Sequence, residues 1–152
     1  MSKPDPLLES CTETKKDSKI KVEAHTQKAI FDNSGRAKIK IVDLDCWLAA
    51  DTGPKADHIV SKPDVVDIIV ELKGKGIDHA LKQILASHAR WKAAPPFSKR
   101  IGGLIVFSRS PDRSASMDDT RKRFLQTHGI WLEMNKNNQT EYRFENFTGK
   151  KA

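Results

Sequence analysis

Two strongly apolar segments, residues 65–72 and 101–107, limit the possible folds of this chain more than any other feature. Each is too short to span a membrane, and the continuous apolar run 101–107 is typical of a buried central strand. Between them, residues 77–92 carry apolar side chains at helical spacing, with Asp78 in the first turn. A buried strand, a helix and a second buried strand predict an α/β domain with a mixed central sheet.

The remaining segments predict the other elements. Residues 20–31 alternate in part, and fit either an extended segment or one that closes in a short helix. We expect an α/β (α+β) fold in which helices flank a mixed central sheet on both faces. The predicted domains are a polar segment 1–19, a single domain 20–148 and a tail 149–152. Helices are predicted from residue 6 or 7 to 14, over 77–92 and from Ser116 to 127, and strands over 37–48, 56–60, 65–72, 101–107, 130–134 and 142–147.

Composition limits the class of protein. The 152 residues suit one domain, and a net charge of +7 favours polyanionic partners such as nucleic acid. The amino terminus lacks the apolar core of a signal peptide, so we expect a cytoplasmic protein with no membrane partner. Cys11 and Cys46 are then expected to be reduced, and their spacing gives no support to a zinc site.

A group of acidic and basic residues surrounds the end of the strand over 65–72. Glu71 and Lys73 are two residues apart, so they point to the same face, whereas Leu72 points into the core. If the preceding hairpin turns near Pro63, Asp57 lies opposite residues 70–71. Cross-strand neighbours are about 5 Å apart, and two carboxylates at that spacing can share one cation.

Other acidic residues fit this arrangement less well. Asp64 follows a proline but lies at the hairpin tip, about 23 Å from Glu71, and Asp67 lies about 13 Å away along the strand. Asp43 and Asp45 belong to the neighbouring strand and are held in reserve. Taken alone, Glu71 and Lys73 are better explained as an ion pair at a strand end.

Residues 56–60, 68–74 and 80–85 together resemble the core of the PD-(D/E)xK nucleases, a superfamily that includes restriction endonucleases and Holliday-junction resolvases. The nearest similarity is to small microbial branches with a Glu-Leu-Lys-Gly motif. The resemblance implies a restriction-endonuclease-like αβββαβ core. The sequence departs from the family motif at residue 56, where Ala replaces a proline that takes no part in the chemistry.

The resemblance also implies roles for individual residues. Asp57 and Glu71 would bind Mg²⁺ or Mn²⁺ together with the backbone carbonyl of Leu72, Lys73 would position the attacking water, and Gln83 would lie near the site. Glu9 is a weaker match to an acidic residue of the first helix. For Gln83 the alternative is a solvent-facing position beside His79, Ser87 and Arg90, and for His58 and His79 a surface or hydrogen-bonded histidine.

Basic residues are candidates for binding a phosphate backbone. Arg109 follows the buried strand 101–107 and is the strongest candidate, since sites often gather at strand ends. Trp91 and Phe97 lie among the others, where they either stack on bases or pack in the core. Arg113 follows the same strand, and residues 121–123 are better explained as a solvated surface. The remaining candidates are Arg90, Lys92, Lys99 and Arg100.

These expectations combine into a metal-dependent nuclease that hydrolyses phosphodiester bonds, with DNA favoured over RNA by the resemblance alone. The first alternative is a non-catalytic nuclease-like module that binds nucleic acid or a partner protein. The second is a nuclease of a defence or mobile-element system that needs a partner or a homodimer. A substitution that removes Glu71 separates catalysis from binding and so discriminates these hypotheses.

Overall fold

The structure is a computed structural model that describes residues 5–24, 27–74, 76–94, 97–107, 117–135 and 141–148, with the backbone alone for 73, 74, 117 and 118. The elements within these ranges are α1 (Pro6–Ser10), β1 (Thr12–Lys15), β2 (Lys19–Ala24), β3 (Gln27–Asp32), β4 (Ile39–Asp43), α2 (Leu44–Trp47), β5 (His58–Lys62), β6 (Val66–Gly74), α3 (Ile77–Ala93), β7 (Ile101–Phe107), α4 (Met117–His128), β8 (Ile130–Asn135), β9 (Glu141–Arg143) and a 3₁₀ turn (Phe144–Phe147).

Six strands form the central sheet in the order β1-β4-β5-β6-β7-β8. Within this sheet, β1, β4, β5 and β6 pair antiparallel with their neighbours in that order. Strand β7 is parallel to β6, and β8 is parallel to β7. The predicted mixed sheet is therefore confirmed, and β6 lies where the two pairing modes meet. Among the described helices, none has both the length and the apolarity needed to cross a bilayer.

A second sheet of three strands, in the order β2-β3-β9, covers one face of the central sheet. Ile20 and Val22 of β2 and Phe31 of β3 point into the layer between the sheets. The 3₁₀ turn completes this layer with Phe144 and Phe147. The four helices pack on the opposite face, so the prediction of helices on both faces was wrong. The described residues within 20–31 belong to β2 and β3, which pair antiparallel, so the interpretation as an extended segment is confirmed.

The helix-side core is built around α3. Its buried positions are Ala80, Ile84, Ser87 and Trp91, with Trp91 fully enclosed. Of the apolar residues that follow helical spacing, Ile84 is fully buried, whereas Leu81 and Leu85 are only partly buried and flank it. The buried stripe is therefore rotated toward Ser87, a polar residue predicted to face solvent.

The amino-terminal segment belongs to the same structure. Asp5 caps α1 by accepting hydrogen bonds from the backbone N–H groups of Leu7 and Leu8. The helix ends at Ser10 rather than at residue 14, because β1 starts at Thr12 and pairs with β4 as an edge strand of the central sheet.

Cys11 and Cys46 form a disulfide, with their Cα atoms 5.7 Å apart. This bond ties the end of α1 to the single turn of α2. The prediction of two reduced cysteines was wrong, because two distant segments bring the thiols together in the helix-side core. Spacing along the chain carried no sign of that approach.

The hairpin of β5 and β6 is present as predicted. It turns over residues 63–65, where Asp64 has a positive φ of 68°. Val60 pairs with Ile68, one residue from Asp67, which a turn near Pro63 would place opposite it. At the other end of the chain, the predicted strand over 142–147 is a three-residue strand followed by the 3₁₀ turn.

Candidate active site

The open end of the β5–β6 hairpin brings Asp57 and Glu71 together. His58 pairs with Val70, and the backbone N–H of Asp57 donates to the Val70 carbonyl at 3.0 Å. Asp57 and Glu71 lie two residues from Ile59 and Ile69, which pack in the helix-side core. By strand alternation both carboxyl groups face α3. The predicted juxtaposition across the hairpin is therefore confirmed.

The carboxylate of Asp57 is held by the backbone of the neighbouring strand. Its Oδ2 accepts a hydrogen bond of 2.7 Å from the N–H of Leu72. The side chain of Leu72 is fully buried in the opposite layer, as predicted, so this N–H has a fixed position. Asp57 is thus orientated by a buried part of β6 and not by a mobile side chain.

Glu71 is the most perturbed acid of the described residues. It is 5% exposed, and burial, the charge of Asp57 and a hydrogen bond with Asp57 raise its pKa to about 9. Its Oε1 is buried and has no hydrogen-bond partner among the described residues. A buried acid with an unsatisfied oxygen is costly for folding alone, which makes this residue a functional candidate.

Gln83 reaches the same place from α3. Its amide group donates to the carbonyl of Lys55 at 3.1 Å, and a hydrogen bond with Glu71 lowers the pKa of that acid. Its Oε1 is buried without a partner in the described part of the chain. The expectation that Gln83 lies near Glu71 is confirmed.

Lys73 follows Glu71 on β6, and its side chain lies outside the described atoms. The backbone has an irregularity here: Leu72 pairs with Val106, Gly74 pairs with Phe107, and the register shifts between them. Such a bulge changes the direction of the residue within it and is common beside active sites. The predicted alternation of Glu71 and Lys73 on one face stays a prediction.

The donor set of the site consists of oxygen atoms. Asp57 and Glu71 supply carboxylates, and Gln83 supplies an amide oxygen without a partner among the described atoms. The described residues include no group of three or more His, Cys, Asp or Glu side chains suited to a metal ion. Oxygen ligands with only one or two carboxylates fit Mg²⁺ or Mn²⁺, which keep water and substrate oxygens, and do not fit a zinc site.

The acids held in reserve do not join the pair. Asp43 caps α2 by accepting from the N–H of Cys46 at 3.2 Å. Asp45 is 72% exposed, with an oxygen 4.0 Å from Nζ of Lys55. Its charge still contributes to the raised pKa of Glu71. Asp64 lies at the hairpin tip as predicted.

Asp67 has a structural role at the far end of the sheet. It is fully buried and accepts from Ser61 Oγ at 2.5 Å and Trp91 Nε1 at 2.8 Å. The backbone N–H groups of Phe97 and Ser98 also donate to it, at 3.0 and 3.1 Å. Trp91 therefore packs in the core, which removes it from the candidates for base stacking.

The basic residues predicted to bind nucleic acid are not gathered at the carboxyl pair. Arg90 forms an ion pair with Asp51, so its charge is already neutralised. Lys92, Lys99 and Arg100 are exposed near the end of the sheet that holds Asp67. That end is about 13 Å from Glu71 by the rise of a strand. Arg109 and Arg113 lie outside the described residues.

Three weaker candidates lie elsewhere. Glu9 is exposed on α1 and lines a small cleft with Lys40 and Phe97, at the end of the sheet away from Glu71. His79 is exposed on α3. His58 is partly buried and its Nδ1 has no partner among the described residues. Burial lowers its pKa, although Asp57 and two other carboxylates act in the opposite direction.

Sequence reasoning missed the residues that hold the segment before Asp57. Ser87 Oγ accepts from the buried N–H of Ala56 at 2.8 Å, and Lys55 donates to two backbone carbonyls. The only available signal was the spacing of Gln83, Ser87 and Arg90 along one side of α3, which was interpreted as a solvated face.

Comparison with protein-family models, with curated proteins and with solved structures finds no match for this chain.

Proposed function

We propose that this protein is a metal-dependent nuclease that hydrolyses phosphodiester bonds, with DNA as the first substrate to test. Asp57 and Glu71 would hold Mg²⁺ or Mn²⁺, Lys73 would position the attacking water, and Gln83 would orient Glu71. The observation that carries this proposal is the carboxyl pair itself, in which Glu71 is buried beside a partly buried Asp57 and one Glu71 oxygen is unsatisfied in the described structure.

The environment of the pair supports a catalytic rather than a structural role. A buried structural carboxylate is expected to have its oxygens satisfied, as Asp67 does with four donors. Glu71 instead faces a second carboxylate, which raises its pKa. A divalent cation would relieve this repulsion by favouring the ionised form of both acids.

The proposed chemistry assigns a task to each protein group. A bound divalent cation would polarise the phosphate and lower the pKa of a coordinated water. Asp57 is pre-orientated by the N–H of Leu72, so it needs little rearrangement to act as a ligand. The backbone carbonyl of Leu72 is a further candidate ligand, and the bulge that follows it would direct Lys73.

A cleavage assay tests the proposal. Single-stranded, double-stranded and branched DNA, and RNA, are incubated with Mg²⁺, Mn²⁺ or EDTA. We expect cutting that requires the cation and that falls at least 100-fold in Glu71→Ala and Lys73→Ala. Absence of cutting on every substrate, or variants as active as the wild type, would overturn the proposal.

The chain offers matched controls for these variants. Asp64→Asn changes an exposed acid that also follows a proline, at a position where asparagine tolerates the positive φ. Lys82→Ala removes an exposed lysine of α3. Both controls are expected to cut like the wild type, which would exclude a general effect of lost charge.

A second candidate, a non-catalytic module that binds nucleic acid, is favoured by one observation. The exposed cations Lys92, Lys99 and Arg100 lie at the end of the sheet away from the carboxyl pair. A Lys99→Ala/Arg100→Ala variant that loses binding, in a protein that never cuts, would support this candidate.

A further inference from the structure

The segment that carries Asp57 into the site has no regular structure of its own. It connects α2, which ends at Trp47, to β5, which starts at His58. Such a connection fixes a ligand only if other elements restrain it. The position of the Asp57 carboxylate therefore depends on what holds the residues just before it.

Polar side chains on α3 hold this segment at three positions. Gln83 donates to the carbonyl of Lys55 at 3.1 Å, and Ser87 accepts from the N–H of Ala56 at 2.8 Å. One turn further on, Arg90 forms an ion pair with Asp51. The spacing of these side chains, at i, i+4 and i+7, places them on one side of the helix.

Ser87 is the member of this set closest to Asp57 that does not itself touch the carboxyl pair in any described contact. Both Ser87 and Ala56 are fully buried. The other buried positions of α3 are Ala80, Ile84 and Trp91, so a hydroxyl here interrupts an otherwise apolar stripe. A buried N–H needs an acceptor, and Ser87 supplies it to the Lys55–Ala56 peptide group, one residue before Asp57.

Two consecutive backbone N–H groups on the amino-terminal side of the Asp57 side chain are thereby fixed. Ala56 donates to Ser87, and Asp57 donates to the carbonyl of Val70. With both bonds made, the Asp57 carboxylate reaches the N–H of Leu72 and faces Glu71. Helix α3 follows the strand that carries Glu71 and also holds the segment that precedes Asp57, so both acids are positioned relative to the same helix.

We infer that Ser87 is a positioning residue that holds Asp57 in the geometry needed to bind a divalent cation. This inference rests on the proposed function, since it names the residue that sets up the proposed metal site. In this role Ser87 need not contact the substrate. Its loss should lower the affinity for the cation and leave the rate of cleavage at saturating cation unchanged.

The test measures Mn²⁺ binding by calorimetry and cleavage as a function of Mn²⁺ concentration, in full-length protein well below its unfolding temperature. Ser87→Ala is expected to weaken Mn²⁺ binding by about 10-fold, as for loss of a residue that orientates a metal ligand. Cleavage should fall at low Mn²⁺ and return close to wild type at saturation. Ser87→Thr, which keeps the hydroxyl, should restore the affinity.

Ser98→Ala is the matched control. Ser98 is also buried, and its hydroxyl donates to the carbonyl of Lys62 at 3.2 Å, at the opposite end of the hairpin. A merely structural serine would lower stability in both variants and leave Mn²⁺ affinity alike. If Ser87→Ala does not fold, Ser87→Cys keeps the volume with a weaker acceptor and is measured instead.

The outcomes separate the two ideas. Wild-type protein that binds no Mn²⁺ would overturn the proposed function and the positioning role with it. Wild-type protein that binds Mn²⁺, with Ser87→Ala binding as tightly or both serine variants weakened equally, would overturn the positioning role alone. Weakened binding confined to Ser87→Ala, with rescue by threonine, is the supporting result.

Discussion

The carboxylate of Asp57 and the backbone N–H of Leu72 are joined by a hydrogen bond of 2.7 Å across the open end of a β-hairpin. This bond satisfies the N–H of Leu72, which belongs to a strand that is covered on both faces. It also fixes a charged group beside Glu71, whose pKa rises in response. The cost of placing two acids together is thus built into the hairpin.

Replacing the charge of Asp57 should release that cost. In Asp57→Asn the side-chain oxygen still accepts from Leu72, but neither the charge nor the carboxylate remains to raise the pKa of Glu71. We expect this pKa to fall from about 9 by about one unit or more, while staying above 4.5 because burial is the largest cause. Carbon-13 NMR titration of glutamate carboxyl groups measures it. Asp45→Asn should produce a smaller shift, and an equal shift in the two variants would contradict the assigned causes.

The stability of the metal-free protein should decrease as pH rises. The pKa of Glu71 is about 9 in the folded state and 4.5 ordinarily, so between these values only the folded state keeps the proton. Unfolding then releases a proton, and each pH unit in this window lowers the free energy of unfolding by up to about 1.4 kcal/mol. The contribution is complete below about pH 4.5 and is lost by about pH 9.

Urea unfolding in EDTA between pH 5 and pH 9 measures this slope. Glu71→Gln keeps the shape without the titration, so its profile should be flatter by the amount that Glu71 contributes. The histidines His58 and His88, whose pKa values burial lowers, act in both proteins and cancel in the comparison. Parallel profiles for wild type and Glu71→Gln would show that Glu71 does not keep its proton.

Reduction of the disulfide should destabilise the fold. Cys11 and Cys46 are 35 residues apart, and the chain-entropy model gives about 3–4 kcal/mol for a closed loop of this length. Equilibrium unfolding with and without a phosphine reductant measures the loss. The double variant Cys11→Ser/Cys46→Ser serves as the control, since it should be insensitive to reductant. An unchanged unfolding midpoint in the wild type would count against the bond.

Gly102 and Gly103 on β7 should respond differently to alanine. A Cβ at Gly102 would lie 2.7 Å from Cβ of Phe147, so the 3₁₀ turn would have to move, at a cost of about 1–3 kcal/mol. A Cβ at Gly103 would meet Cδ1 of Leu132 at 3.1 Å, where a shift of the side-chain end by a few tenths of an ångström is enough, and should cost less. Urea unfolding midpoints of the two variants test this order, and a more damaging change at Gly103 would reverse it.

The sequence predicted the hairpin, α3 and β7 because these elements show their character in local patterns of apolar residues. The position of Asp57 opposite Glu71 was also predictable, since strand alternation and a short turn determine the register over a few residues. The layer formed by the second sheet escaped prediction. Strand β9 is three residues long and pairs with β3, more than 100 positions earlier. No local pattern reports such a contact.

Within the site, residues on the strands were easier to predict than their supports. Ser87 and Arg90 look like solvated positions of an amphipathic helix until the segment before Asp57 is known to lie against them. The same reason applies to the disulfide, which joins two short helices separated along the chain by four strands. Whether a polar side chain faces water or a distant backbone group is decided by tertiary contacts.

Coverage of the central sheet on both faces has a consequence for how this fold can change. With helices on one face and the small sheet on the other, only the rim of the sheet meets solvent at the ends of β5 and β6. Substitutions of exposed residues at the rim leave the packed layers undisturbed, so new binding preferences can arise there with little loss of stability. The end near Asp57 and the end near Lys99 and Arg100 can therefore diverge independently.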